Sequence, residues 1–309
     1  MKKIAVLGAT GYIGRSLLVE FFGEVGKYEL FLFSRSKEKL SKIVRDIPDA
    51  ENYTLCDFSL LHKHVYDVVI NCTGIGDTQE LRKTPEAIFR VTEEIDNMIL
   101  SYLDRKPKTL YINLSSGAVY GDNFNKAINE KTKTILNINN LKISEYYSIA
   151  KINAEAKHRS MSNLNVVDLR VFAFFSKFVD TKVGFLMSEI VECIKNKKVF
   201  KTNNTNIVRD YISASDLLSL IKLIIKKSNI NDSFDVYSLK PISKFQLLSF
   251  LEKKYGLKYK INSSSSKENT IISKNIYYSN NQKAKDLGYK PELSSLKSIS
   301  KELELFFEM

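Results

Sequence analysis

The chain has few of the residues that would cross-link it or bind a metal. Of its 309 residues, three are cysteine and three histidine. Cys56, Cys72 and Cys193 are odd in number and widely spaced. They provide neither a disulfide framework nor a zinc pattern, and three histidines leave no histidine-rich metal site. No apolar run approaches the ~18 residues of a membrane-spanning helix. The start, MKK followed by IAVLGA, imitates a signal peptide, but its apolar stretch is short and is followed by Gly11, Gly14 and Arg15. These absences predict a reduced, cytoplasmic protein with no bound metal.

Acidic residues are also in deficit, 35 against 47 basic, for a net charge of +12. The excess is uneven, +3 over residues 1–160 and +9 over 161–309. A basic balance suits nucleic acid, a membrane surface or a small anionic substrate. The basic residues are dispersed, and no basic motif interleaved with aromatics stands out. KNKK at 195–198 and the lysine pairs at 226–227 and 253–254 are short and read as solvated helix faces or ends. Neither nucleic acid nor membrane is therefore expected as a partner. Lysine supplies 38 of the 47 cations, so most of the excess reads as lysine-rich surface.

Apolar material is present in quantity. Hydrophobic residues make up 44% of the chain, enough for a sizeable core in one large or two smaller domains. Strand-like runs occur at 3–9, 29–34, 53–58, 68–73, 109–115 and 166–171. Several are nearly continuous in apolar residues, as strands buried on both faces should be. Helix-compatible stretches lie near 12–24, 36–45, 83–104 and 145–161. The alternation predicts an α/β fold, a Rossmann-like doubly wound parallel sheet covered by helices, with right-handed crossovers. After about residue 175 the pattern becomes mostly helical, near 184–197, 213–227, 243–255 and 295–307, with one strand-like run at 234–239 and a polar run at 263–269 read as a loop. The expected division is a dinucleotide-binding domain over 1–175, to which the strand at 234–239 returns, and a smaller substrate-binding region over 176–309.

Gly8-Ala-Thr-Gly11-Tyr-Ile-Gly14 follows the first strand and opens the first helix. One glycine permits a tight turn, another lets backbone N–H groups approach a pyrophosphate, and the third lets helix and strand pack closely. The helix N-terminus then faces the phosphates with its partial positive charge. The second strand ends Phe33-Ser34-Arg35-Ser36, with no acid to bind a ribose 2′-hydroxyl. Arg35 can instead pair with a 2′-phosphate, which favours NADP over NAD. Asp57, after the third strand, suits either the adenine edge or a helix cap.

Tyr147 and Lys151 stand four residues apart, on one face of a predicted helix. A free phenol ionises near pH ~10 and exchanges protons poorly at neutrality, whereas a neighbouring ammonium stabilises the phenolate. Tyr146 has Ala150 at the same spacing, so the spacing selects Tyr147. Ser115 and Ser116 end the fifth strand, on the side where ligands gather in α/β sheets.

Together these segments resemble the extended short-chain dehydrogenase/reductase family of nucleotide-sugar epimerases, dehydratases and reductases. The resemblance runs through GATGYIG, the Asp57 position, INLSSGAVYG, YSIAK, LRVF (169–172), RDYISASDL (209–217) and LGYKPELSSLKSI (287–299). It implies a catalytic set of Ser116, Tyr147 and Lys151, alignment on the Val-Tyr-Gly after the serines selecting Ser116. It implies a cofactor set of Gly8, Thr10, Gly11, Tyr12, Ile13, Gly14, Ser34, Arg35, Asp57, Phe58, Cys72, Thr73, Gly74, Tyr147, Lys151 and Phe172. Arg209 is implied as a contact to a nucleotide-sugar diphosphate, beside Ser116 and Tyr147 at the substrate. Relatives often pair through a four-helix contact, which implies a homodimer.

Departures narrow the expectation. Gly117-Ala118 stand where dehydratases of the family carry an Asp-Glu pair. Ala173 replaces an asparagine that often contacts substrate phosphates, and Thr92 stands near another usual asparagine. The leading expectation is an NADPH-dependent reductase of a nucleotide-linked 4-keto-6-deoxysugar. The alternatives are a nucleotide-sugar 4-epimerase that retains NAD, a reductase of another carbonyl, and a non-catalytic NADP-binding regulator on the same fold.

Overall fold

Seven short strands pair into one parallel sheet. The computed structural model describes residues 1–48, 50–74, 84–122, 124–262 and 274–308. The strands are β1 (Lys2–Leu7), β2 (Tyr28–Phe33), β3 (Tyr53–Cys56), β4 (Val68–Asn71), β5 (Leu110–Ser116), β6 (Val166–Val171) and β7 (Asn231–Val236). Their order across the sheet is β7-β6-β5-β4-β1-β2-β3. The order reverses between β1 and β4, so the crevice for a ligand opens beyond the carboxyl ends of that pair.

Burial on both faces explains the apolar strand sequences. Ile4 and Val6 of β1 face one core with Leu17 and Phe21 of α1 (Tyr12–Phe22). Ala5 and Leu7 face the other, with Phe31, Val69, Tyr111 and Leu103. The two-residue period of a strand divides its side chains in this way. The remaining helices flanking the sheet are α2 (Lys37–Arg45), α3 (Ala87–Arg105) and α4 (Ile143–Ser160). The helix expected from 83 begins at Ala87, because Thr84 and Pro85 form the turn before it. Position 83 and the polar run at 263–269 lie outside the described residues.

The later strand is displaced from its expected span. Asn231, Asp232 and Ser233 have turn-like composition, yet they pair in parallel with Val166, Val167 and Asp168. Tyr237, Ser238 and Leu239 leave the ladder; Ser238 N–H donates to Asp210, and Leu239 N–H to the Leu293 carbonyl. Ladder pairing overrides local propensity here.

After β6 the chain builds a third apolar cluster, including Phe175, Ile190, Leu248, Leu251, Ile299 and Leu303. Its helices are α5 (Leu186–Lys195), α7 (Lys244–Tyr255) and α8 (Ser295–Glu308). Between them, α6 (Ala214–Ile225) packs its Leu217, Leu220, Ile221 and Ile224 into the core shared with α1. Two buried aspartates fasten the C-terminal segment. Asp210 accepts from Ser238 N–H and the Ser295 hydroxyl, and Asp216 from the N–H groups of Glu292 and Leu293. Among the described residues, no helix is long and apolar enough to cross a membrane.

Candidate active site

The glycine turn is defined by close backbone approach. Gly8 has φ +76°, and a Cβ there would lie 2.9 Å from the Cys72 carbonyl. A Cβ on Gly14 would lie 2.3 Å from the Gly8 oxygen, and one on Gly11 3.1 Å from it. β1, β4 and α1 therefore meet at a point with no room for side chains. Gly11 caps α1 without a side-chain hydrogen bond, and the first turn carries no acid. The first-turn N–H groups of Tyr12 and Ile13 have no acceptor within the helix. This cradle fits a pyrophosphate. The side chains of these two residues point inward. Ile13 packs on the core, and the Tyr12 hydroxyl accepts from Ser176 N–H at 2.7 Å.

At the end of β2, the Thr10 and Ser34 hydroxyls are 3.1 Å apart, and Ser34 accepts from Ser36 N–H. Ser36, in turn, caps α2 by accepting from Lys39 N–H. Arg35 is exposed beside them. Asp57 pairs with Lys37 at 2.9 Å, both half exposed, and makes no side-chain cap to the turn that follows it. Phe58 packs on the β2 side of the core. Thr73 bonds back to the Asn71 side chain, and Gly74 is exposed.

The end of β5 separates the two serines. Ser115 donates to Glu155 at 2.6 Å, and Glu155 is held by Arg170. Arg170 also donates to the Tyr120 hydroxyl, which bonds Asp235. Ser115 is thus part of a buried ionic network. Ser116 is not: its oxygen accepts from Ala118 N–H at 3.1 Å and lies 3.4 Å from the Tyr277 hydroxyl. Phe172 packs so closely beneath Gly117 that a Cβ there would lie 2.4 Å from its ring. The space into which an acid at position 117 would have to grow is filled by this phenyl group.

Helix α4 presents Tyr147, Lys151 and Glu155 at four-residue intervals, on one face. Ser148 anchors it by donating to the Ala118 carbonyl at 2.6 Å. Lys151 is buried, donates to the Leu114 carbonyl at 3.0 Å, and lies 6.0 Å from the centre of the Tyr147 ring. Tyr147 lies in the neighbourhood of Tyr277. Ser116, Tyr147 and Lys151 are brought to one place around the end of β5.

A second buried network lies under α4. His158 sits between Asp168 at 2.9 Å and Asp96 at 2.7 Å. Burial alone would lower the imidazole pKa, but the bonds and charges of the two aspartates outweigh it and push it up to about 9. Burial would likewise raise Asp96, yet His158 and Lys157 hold its carboxyl below the ordinary value.

Beside Tyr277, Arg209 spends its hydrogen bonds on carbonyls, that of Val208 at 2.8 Å and that of Asn275 at 3.4 Å. Its guanidinium lies 5.7 Å from the Tyr277 ring centre, and the Lys274 ammonium 4.6 Å from it. Among the described residues neither cation forms an ion pair. Burial lowers both, Lys274 to about 8. Lys274 senses the nearby Asp122 carboxylate, whereas among the described residues the poorly solvated Arg209 pairs with none, a setting that favours an anion there. Sequence reasoning missed Tyr277 and Lys274, which follow an unpatterned polar run, and it missed the ionic partners Glu155 and Arg170.

The chain is similar to known proteins along most of its length. The chain is 24% identical over 252 residues to a GDP-6-deoxy-D-talose 4-dehydrogenase of Aggregatibacter actinomycetemcomitans, covering 81% of this chain and 79% of that one. An uncharacterised protein of Methanocaldococcus jannaschii is 22% identical over 99% of this chain and 97% of its own. The structure of a UDP-glucose-4-epimerase from Stenotrophomonas maltophila, bound to NAD and formylated UDP-arabinopyranose, superposes with a TM-score of 0.81 at 17% identity, over 100% of this chain and 99% of that one. The profile of the NAD dependent epimerase/dehydratase family matches residues 4–239. The chain belongs to that family and is an enzyme of the extended short-chain dehydrogenase/reductase type.

Proposed function

We propose that the protein is a reductase that uses NADPH on a 4-keto sugar carried by a nucleoside diphosphate. The carrying observation is that the Ser116 hydroxyl and the Arg209 guanidinium both meet Tyr277, the first 3.4 Å from its hydroxyl and the second 5.7 Å from its ring centre. Ser116 offers a hydroxyl to a carbonyl, and Arg209 a cation to a phosphate. The curated relative that acts on a GDP-linked 6-deoxysugar at position 4 supports the same class, since a 4-dehydrogenase and a 4-keto reductase run one reaction in opposite directions.

The glycine cradle and the first turn of α1 would hold the cofactor pyrophosphate, and the nicotinamide, when bound, would supply the hydride for the carbonyl carbon. Tyr147 gives its phenolic proton to the carbonyl oxygen. The Lys151 charge stabilises the phenolate left behind, and Ser116 donates a hydrogen bond to the same oxygen. The choice of NADPH rests on the exposed Arg35 and on Asp57 being paired with Lys37. Against it stands the NAD bound in the solved relative described above.

Oxidation of NADPH and NADH with dTDP-, CDP- and GDP-linked 4-keto-6-deoxyhexoses tests the reading. The expected result is one NADPH consumed per sugar reduced. The Tyr147→Phe protein should turn over about 10²–10⁴-fold more slowly with cofactor affinity unchanged. Interconversion of two nucleotide sugars without net cofactor oxidation would instead assign a 4-epimerase.

A further inference from the structure

Tyr277 is held in place by its surroundings before any substrate binds. It lies on the two-residue strand Ile276–Tyr277, opposite Arg209 of Val208–Arg209 in parallel register. Its ring meets Phe124 edge-on at 4.7 Å and Phe172 at 5.2 Å, between centres. Lys274 and Arg209 add two cations around the ring. The segment is fixed on both sides, by Ile276 N–H donating to the Phe124 carbonyl and by Ser279 donating to the buried Asp235 of β7 at 2.5 Å.

The phenol is a hydrogen-bond donor at neutral pH. Burial raises its ionisation well above the usual phenol value, against the opposing pull of Ser116 and Arg209. Its contact with the Ser116 oxygen, 3.4 Å, is long for a pair of hydroxyls. A third oxygen between or beside them would make a better acceptor. In a pyranose, oxygens on adjacent carbons stand about one hydrogen-bond length apart, ~3 Å. That spacing is close to the separation of Ser116 and Tyr277. An oxygen on the carbon next to the one Ser116 serves therefore falls within reach of Tyr277.

We propose that Tyr277 is a specificity-determining residue that donates to the sugar hydroxyl adjacent to the reacting carbonyl, so that the site selects sugars with an oxygen at that carbon over their deoxy counterparts. In a 4-keto-6-deoxyhexose this is the 3-hydroxyl, because carbon 5 carries none. The inference rests on the reductase reading and adds the position at which the substrate is recognised. A site built to bond a hydroxyl rejects the analogue lacking it because its own polar group is then left unpaired.

The test compares GDP-4-keto-6-deoxyhexose with its 3-deoxy counterpart, using wild-type protein and Tyr277→Phe. The phenylalanine keeps every ring contact, and an unchanged melting temperature and cofactor affinity verify the variant. Wild type is expected to favour the 3-hydroxy sugar about 10²-fold in kcat/KM. Tyr277→Phe should lose most of that preference by slowing on the 3-hydroxy sugar alone, its rate on the 3-deoxy sugar staying within about threefold of wild type. Equal use of the two sugars by wild type, or an equal loss on both in the variant, overturns the role of Tyr277 and leaves the reductase reading standing. Failure of wild type to turn over any 4-keto nucleotide sugar overturns that reading and this inference with it.

Discussion

The glycine turn after β1 and the serine end of β5 lie two strands apart on one edge of the sheet, and they are held in opposite ways. At the turn, backbone meets backbone, and the geometry depends on missing atoms: a Cβ on Gly14 would lie 2.3 Å from the Gly8 oxygen. At β5, geometry depends on charge. Ser115, Glu155, Arg170, Tyr120 and Asp235 form one network, and Asp96, His158 and Asp168 another. The first arrangement should be indifferent to pH and intolerant of volume. The second should respond to any change of charge.

Three outcomes would sharpen or break this contrast. The largest effect is expected from Glu155→Gln, which leaves Arg170 short of its principal buried partner. A loss of about 3 kcal/mol in unfolding free energy is expected, read by urea titration, together with slower turnover as the end of β5 loses the anchor at Ser115. A loss below ~1 kcal/mol, the range of a surface pair, would show that the network does not hold β5. Next is Gly14→Ala, with about 2 kcal/mol from overpacking and at least tenfold weaker cofactor binding, the same at pH 6 and pH 9. A pH-dependent loss would show that charge contributes at the turn as well.

The third outcome, graded with pH and not lost in one step, is the dependence of stability on His158. Its folded pKa of about 9 exceeds the ordinary 6.5, so the folded state holds the proton more tightly. The stabilisation is complete below about pH 6.5, falls by about 1 kcal/mol per pH unit as pH rises, and is gone above about 9. Urea midpoints across that range for wild type and His158→Gln should converge toward the alkaline end. Parallel curves would mean that His158 does not carry the effect.

This contrast also accounts for what the sequence discloses. Glycines and short apolar strands act locally, so the sheet, the turn and the Tyr147–Lys151 spacing are legible from residue type and interval. Side-chain networks are not local. Ser116 and Tyr277 are 161 residues apart, and nothing near Tyr277 in the sequence marks it as facing a serine at a strand end. His158 is an unremarked histidine on a helix until Asp96 and Asp168 arrive from two other elements. The strand at 231–236 evaded its expected boundaries for the same reason, its first three residues being held by β6 rather than by their own propensity.

The return of β7 to the sheet has a consequence for how the chain can be divided. β6 is an interior strand only because β7, some sixty residues later, pairs with all six of its residues. A fragment ending near residue 175 would leave the outer rim of β6 open, with Val166, Val167, Leu169 and Val171 along it, all buried in the whole chain. Such an unpaired, apolar strand edge invites pairing between molecules. The parallel sheet is therefore continuous in space but not in sequence, and cutting the chain at the point where the sequence pattern changes is expected to yield a self-associating fragment.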